Sequence, residues 1–227
     1  MITCACFCAA APAAAEVGAA VSIFSDARFR GYSLSAGHPI GIVDLSYDNS
    51  GGLYAAASAS ALASSADGIR PLGIQVNGGY AKRLASDVTL DVGVLHSNYS
   101  RYSSAASANS YTEVYAGVAH GFLSSRIAFS PHYFERGART LYGEIDANVS
   151  PVRKLQLTGH FGVLVPIHYR DENDESETQY DWRLGAAREV GRGSLHLITT
   201  GGGPGRDYYR GHSHSRNALI LGLSWGL

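Results

Sequence analysis

The chain of 227 residues has a formal net charge of −1 and only 16% charged residues, so it offers no concentrated basic surface of the kind that binds nucleic acid. It contains no apolar run of about 18 residues, which excludes a membrane-spanning helix. A closed β-barrel is not excluded, because a barrel also satisfies its backbone groups in lipid. Glycine (27 residues) and tyrosine (14 residues) are abundant, whereas methionine occurs once.

Residues 1–15 have the features of an export signal. The stretch "MITCACFCAAAPAAA" is apolar, and Ala13 and Ala15 have the A-x-A spacing of a cleavage site before Glu16, although no lysine or arginine precedes the run. The three cysteines all lie in this segment, at Cys4, Cys6 and Cys8. We therefore predict a cleaved signal-like segment, residues 1–15, and a single cysteine-free domain, residues 16–227, with no disulfide and no thiolate metal site.

From Val17 onward, apolar residues recur at every second position more often than at helical spacing. In "SDVTLDVGVLHS", for example, Leu90 and Val92 share one face and Asp91 lies on the other. Several such segments run for ten or more residues, which suits a transmembrane strand of about 9–11 residues better than a soluble strand of about 5–6. Twelve strands are predicted, near residues 19–31, 39–48, 52–62, 71–83, 86–97, 110–121, 123–133, 139–149, 154–168, 178–190, 193–201 and 216–226.

The predicted connections alternate in length. Those after the odd segments are mostly long and polar, whereas those after the even segments are short, such as "NSG" and "VGR". An even number of strands, alternating short turns and long loops, and tyrosines near strand ends are typical of bacterial outer-membrane barrels. We predict an all-β fold, an antiparallel transmembrane β-barrel of about 12 strands in the bacterial outer membrane. The alternative is a soluble barrel or sandwich whose apolar faces form a dry core.

The stretch "SDARFRGYSLSAGHPI" and the later "GLYAAASAS", "YTEVYAGVAHGF" and "LYGEIDANVS" resemble the Gcw family of proteobacterial outer-membrane barrel proteins. Its members open with a Ser-Asp-x-Arg-Phe-Arg-Gly stretch and continue with a pattern matched here by Ser33, Leu34, Ser35, Gly37 and Pro39. The resemblance implies a single barrel in the outer membrane. It implies no defined activity.

Charged residues lie in the middle of several predicted strands, opposite apolar faces. An arginine facing lipid near the membrane midplane costs about 2–4 kcal/mol, so we expect these charges to face a polar lumen and, on the first strand, Ala27 and Phe29 to face lipid. The predicted lumen-facing residues are Asp26, Arg28, Arg30, Asp91, Glu113, Glu144, Asp146, Asp181 and Arg183. They either fill and cross-link the interior or line a pore constriction that selects solutes. Both signs occur among them, and the sign of a selected solute stays open.

Other patterns suggest weaker chemical hypotheses. Ser130 and His132, with Glu144 or Asp146 as the acid, could form an acyl-hydrolase triad, although we do not expect an enzyme. His212 and His214 near Asp207, and the calcium-loop-like residues Asp171, Asn173 and Glu175, are interpreted as solvated loops. No metal and no cofactor are therefore predicted.

The sequence thus favours a narrow, porin-like channel for solutes. The alternative is a closed structural barrel that binds partners through loops 98–109 and 202–215. We expect contacts with outer-membrane lipid and lipopolysaccharide, with small solutes in the lumen and with the barrel-assembly machinery, but not with nucleic acid. Outer-membrane barrels usually end on an aromatic residue, and here Trp225 lies two positions before Leu227.

Overall fold

The computed structural model describes residues 15–65, 68–84, 87–100, 109–168 and 177–227. These residues form sixteen strands, of which twelve join into one closed antiparallel barrel and four form two short hairpins in its connections. The predicted all-β barrel is confirmed. The described residues include no helix long and apolar enough to cross a membrane. The signal-like segment, apart from Ala15, and the calcium-loop-like residues lie outside the described part of the chain.

The twelve barrel strands follow one another in chain order, and each pairs with the next. The strands are β1 Glu16–Phe24, β2 Arg28–Phe29, β3 Tyr32–Ser33, β4 Ile40–Asp48, β5 Leu53–Ser64, β6 Gly68–Arg83, β7 Val88–Tyr99, β8 Ser110–His120, β9 Leu123–Tyr133, β10 Arg139–Val152, β11 Leu155–His168, β12 Gln179–Val190, β13 Gly193–Gly203, β14 Asp207–Tyr209, β15 His212–His214 and β16 Ala218–Gly226. The barrel closes at β1, which pairs with β4 over its whole length but with β16 only over residues 20–24.

The outer face of the barrel is apolar, and the inner face is polar and aromatic. Along β10, Leu141 and Ile145 are 38% and 55% exposed, whereas Tyr142 between them is 4% exposed. The same alternation repeats around the barrel, with Leu90, Val92, Leu219 and Leu221 all exposed. A continuous apolar outer belt on a closed barrel suits contact with hydrocarbon. The soluble alternative, in which these residues meet in a dry core, is therefore wrong.

Aromatic side chains lean over glycines of neighbouring strands. A Cβ atom at Gly162 would overlap the Tyr142 ring, one at Gly222 would overlap Phe24, and one at Gly93 would overlap Tyr115. Only glycine leaves room for a ring at these positions, since any side chain would occupy the same space. This packing explains why glycine and tyrosine are both abundant in the sequence.

The first barrel strand is shorter than predicted. β1 ends at Phe24, and residues 25–39 form a loop that contains the β2–β3 hairpin. Arg30 and Gly31 have positive φ values of 45° and 82°, which make the tight turn between the two hairpin strands. Ala27 and Phe29 are 9% and 2% exposed, so the prediction that they face lipid is wrong. The alternating charges of "SDARFRG" thus belong to a folded loop and not to a membrane-spanning strand.

Candidate functional site

The loop of residues 25–39 crosses the barrel mouth and contacts strands on the far side. It brings together a set of charged residues that we call the mouth cluster: Asp26, Arg28, Arg30, Glu113, Asp207 and Arg216. The cluster lies at the end of the barrel with the longer connections, which faces outward in outer-membrane barrels.

Arg30 is the residue of the mouth cluster that reaches farthest across the barrel. Its Nη2 atom donates hydrogen bonds to both carboxylate oxygens of Glu113 on β8, at 2.8 and 3.0 Å. Its guanidinium also lies 3.7 Å from the centroid of the Tyr142 ring on β10. Burial disfavours the charged form of Arg30, but the Glu113 carboxylate and the surrounding tyrosines together outweigh this effect and hold the pKa of Arg30 well above its ordinary value. Arg30 is therefore charged although its side chain is nearly inaccessible.

Arg28 links the loop 25–39 to the β14–β15 hairpin. Its Nε donates to Asp26 at 2.5 Å, and its Nη1 donates to Asp207 at 3.3 Å. The other Asp26 oxygen accepts hydrogen bonds from the Ser33 and Ser35 hydroxyls at 2.6 and 2.7 Å. Burial raises the pKa of Asp207, although the Ser33 N–H and Arg28 oppose that shift. Asp207 is therefore engaged in the mouth cluster.

Arg216 closes the cluster from the last loop. Its Nη1 donates to the Pro204 carbonyl at 2.9 Å, and its Nη2 donates to the Arg30 carbonyl at 2.7 Å. Its guanidinium also lies 4.0 Å from the centroid of the Tyr32 ring. Nothing in the sequence separates Arg216 from the exposed arginines of the same loop, so sequence reasoning missed it.

An aromatic layer surrounds the Arg30–Glu113 pair. Phe29 packs against Tyr99, Tyr111 and Phe134, with ring centroids 5.6 to 6.1 Å apart. Tyr133 completes the layer, 4.9 Å from Phe134. These rings come from the loop 25–39, three barrel strands and the β9–β10 connection, so they cover much of the mouth between the loop and β7–β10.

A second group of charged residues lies deeper in the barrel, and we call it the mid-barrel cluster. It comprises charged and histidine residues whose side chains face the barrel interior below the mouth: Asp44, Asp91, Arg126, Glu144, Asp146, His160, Asp181 and Arg183. Asp44 lies between Val43 and Leu45, which are exposed on the outer face of β4. The sequence pattern of β4 could have identified Asp44, because the same alternation identified the other acids.

Arg126 on β9 lies between two carboxylates. Its Nη2 is 3.3 Å from Asp91 on β7, and its Nη1 is 3.8 Å from Glu144 on β10. The Tyr54 hydroxyl on β5 donates to Asp91 at 2.5 Å. Asp91 lies on β7, which is separated from β5 by β6 and from β9 by β8. These contacts therefore cross the concave inner side of the barrel.

His160 on β11 likewise lies between two carboxylates. Its Nδ1 is 2.8 Å from Asp146, and its Nε2 is 3.0 Å from Asp181. The Tyr142 hydroxyl also donates to Asp181, at 3.0 Å. Only the protonated imidazolium donates from both nitrogens, so this arrangement selects the charged ring. Glu144, Asp146 and His160 offer oxygen and nitrogen atoms within 4.8 Å of one another, and both His160 nitrogens face carboxylates.

The two clusters differ in access to water. In the mouth cluster the side chains of Arg30 and Glu113 are 9% and 6% exposed. In the mid-barrel cluster those of Arg126 and Asp146 are 31% and 39% exposed. Asp181 and His160 are only 9% and 10% exposed, so the wetter part of the interior is the part around Arg126 and Asp146.

The hydrolase hypothesis rested on Ser130 and His132 sharing one face of β9. A register shift between β8 and β9 lies beside them, opposite Thr112 and Val114. Ser130 is fully buried and donates its hydroxyl to the Thr112 carbonyl at 2.8 Å, whereas His132 is exposed and accepts from the Gly137 N–H at 3.1 Å. The expectation of a shared face is therefore wrong, because the bulge turns the two side chains apart.

A closed twelve-stranded barrel with an apolar outer belt and a charged interior defines the class of outer-membrane β-barrels. The chain belongs to a particular family of that class: residues 8–200 match the profile of the family described as "Bacterial protein of unknown function (Gcw_chp)". The resemblance noted in the sequence is thereby confirmed. No curated protein matches the sequence.

Solved structures of outer-membrane proteins share the fold. The NanC porin has 13% identity and a TM-score of 0.61, over 92% of this chain and all of that one. The KdgM porin has 10% identity and a TM-score of 0.56, over 92% of this chain and 99% of that one. An outer membrane channel from Pseudomonas putida F1 has 13% identity and a TM-score of 0.50, over 96% of each chain. At these identities the similarity establishes the fold.

Proposed function

We propose that the protein is a narrow, water-filled channel that passes small solutes across the outer membrane. The observation that carries the proposal is the accessibility of the mid-barrel cluster, where Arg126 and Asp146 keep about a third of their side-chain surface open. Ionised groups in a barrel interior keep that surface only where water reaches them, since burying an unhydrated charge is costly. Structural similarity to porins over their whole length supports the same reading.

The mouth cluster sets the width of the entrance in this proposal. Its arginines and acids, together with the aromatic layer around the Arg30–Glu113 pair, narrow the opening between the loop 25–39 and β7–β10. The same cluster is the observation that favours the second candidate, a closed barrel that acts as a structural or surface-binding protein. In that case the loop 202–215 would present the binding surface, together with loop 98–109, most of which lies outside the described residues.

A channel in the outer membrane would also have the lipid and protein partners, and the cleavage on export, that the sequence predicts. Outer-membrane lipid, with lipopolysaccharide in the outer leaflet, would contact the apolar belt, and the barrel-assembly machinery would insert the chain. Residues 1–15 would be removed on export. The Ser130–His132 hydrolase is not proposed, because the Ser130 hydroxyl donates to a backbone carbonyl.

Conductance of the purified protein in planar lipid bilayers tests the channel. We expect small, discrete current steps, together with swelling of proteoliposomes in solutions of small neutral sugars. Insertion is verified independently by the shift in gel migration between boiled and unboiled samples. Silent bilayers and unswollen liposomes, with insertion verified, would contradict the channel and favour the closed barrel.

A further inference from the structure

The charges of the mouth cluster balance one another. Its three arginines and three acids are linked by the contacts described above, so it carries no net charge when all six are ionised. The mouth cluster therefore gives the entrance little preference for either sign. Any preference of the interior for one sign must arise from the charges beneath it.

The mid-barrel cluster is not balanced. Among the described residues it contains five acids, Asp44, Asp91, Glu144, Asp146 and Asp181, against two arginines, Arg126 and Arg183. Because the contacts of His160 select its charged ring, the excess is two negative charges. Arg126 and His160 are each shared between two carboxylates, so neither cation removes more than one negative charge.

The acids also surround the interior. Asp146 and Glu144 lie on β10, whereas Asp44 lies on β4, six strands away in the closed order of twelve. Between them, the inner face of β5 carries small uncharged residues, such as Ala56, Ser58 and Ser60. A solute that passes through the barrel would therefore meet a negative potential from opposite sides of the wall.

We infer that the channel prefers cations, and that its organic solutes are small cationic or neutral molecules rather than acids. This inference rests on the proposed channel function. A narrow lumen with low-dielectric walls concentrates the potential of its fixed charges, which raises the local concentration of the opposite sign and excludes the same sign. Asp44 and Asp146 are the specificity-determining residues, because they lie on opposite sides of the barrel and Asp146 is the most accessible of the ion-paired acids of the mid-barrel cluster.

The reversal potential of the inserted protein in a tenfold KCl gradient tests the inference. We expect the sign that corresponds to potassium permeating faster than chloride. The double variant Asp44→Asn/Asp146→Asn should lower the ratio of potassium to chloride permeability by about twofold or more, because it removes two of the excess charges. Asp87→Asn is the matched control, since its exposed carboxylate pairs with Arg83 at a turn outside the barrel wall; we expect it to leave the ratio unchanged.

Uptake of two sugars of similar size but opposite charge gives an independent test of the cation preference. Proteoliposomes should swell faster in glucosamine than in glucuronate, and the double variant should reduce the difference. Current or swelling with the opposite preference, or a preference that the double variant leaves unchanged, would overturn the cation inference and leave the channel standing. Absence of any current would overturn the channel and the cation preference together.

Discussion

Arg30 shows how a single residue of the loop is fixed inside the barrel. Its backbone has a positive φ, its guanidinium binds Glu113, and its planar face covers Tyr142. Replacing a buried ion pair by apolar residues is often tolerated, whereas removal of one partner leaves an uncompensated charge and costs about 3–5 kcal/mol. A substitution of one residue of the Arg30–Glu113 pair therefore tests whether this pair holds the loop 25–39 in the barrel mouth.

We predict that Glu113→Gln lowers the free energy of unfolding by about 3 kcal/mol and increases channel conductance, because Arg30 loses its counter-charge and the loop is released. The double variant Arg30→Met/Glu113→Leu should be more stable than the single variant. Urea unfolding in detergent micelles and bilayer conductance measure the two effects. Asp87→Asn breaks an exposed pair and should change stability by less than about 0.5 kcal/mol. A Glu113→Gln protein as stable as that control would contradict the role of the pair.

The glycines beneath aromatic rings give a second residue-scale prediction. Gly162→Ala should destabilise the barrel by about 1–3 kcal/mol, because the added methyl group overlaps the Tyr142 ring and pushes its hydroxyl away from Asp181. Gly143→Ala is the control in the neighbouring strand, where an added Cβ meets no atom within 4 Å. The urea concentration at the midpoint of unfolding is measured for both variants. Equal midpoints would show that the ring moves without cost.

The sequence predicted which residues carry the interior charge but not how they pair. Alternation along one strand reports the face of each side chain, which is a local property. The Arg30–Glu113 and Arg28–Asp207 pairs join residues 83 and 179 positions apart, and their geometry depends on the closed barrel. Arg216 and His160 were missed as site residues because their roles depend on neighbours that the fold supplies: the Pro204 and Arg30 carbonyls for Arg216, and the carboxylates on the two strands beside β11 for His160.

At the scale of elements, the loop 25–39 and the segment 204–217 behave as one unit. Arg28 and Arg216 each bind groups of both segments. We predict that Arg216→Ala makes the second segment sensitive to trypsin at Arg206 and Arg210, because the loop loses two hydrogen bonds and the contact with Tyr32.

Limited proteolysis of the detergent-solubilised protein, followed by mass spectrometry, measures this release. Arg136→Ala serves as the control, because Arg136 is exposed in the β9–β10 connection at the same end of the barrel. We expect the control to be cleaved at Arg206 and Arg210 as slowly as the unchanged protein. Equal cleavage of the two variants would show that Arg216 does not hold the segment.

Eleven of the predicted strands agree with barrel strands to within a few residues, because long dyad alternation between polar turns is a strong local signal. The first prediction extended too far, to residue 31. The hairpin β2–β3 has the same period of two as a membrane strand, so the charges continued the pattern after β1 had ended. The turn at Arg30 and Gly31 and the contacts of Phe29 and Arg30 with strands across the mouth distinguish the two structures.

At the scale of the whole molecule, the lipid-facing belt and the polar interior should respond in opposite ways to the same substitution. Ile145→Arg places a cation near the middle of β10 on the outer face and should cost about 2–4 kcal/mol. Ser58→Arg places it on the inner face of β5, opposite Asp44 of β4, and should cost little. Unfolding from lipid vesicles compares the two variants. Comparable losses would contradict the assignment of inner and outer faces.

The short pairing between β1 and β16 has a mechanical consequence. Because the ladder between these strands spans only residues 20–24 of β1, with one further hydrogen bond at Ala19 and one at Ser25, we expect the barrel to open first between β1 and β16 while the longer strand pairs stay intact. Ser22 lies directly opposite Ser224, so cysteines at both positions would form a disulfide that links β1 to β16. The oxidised double-cysteine protein should unfold at a higher temperature than the reduced protein. A disulfide between cysteines at Ala55 and Gly78, on the longer β5–β6 strand pair, should change the unfolding temperature little.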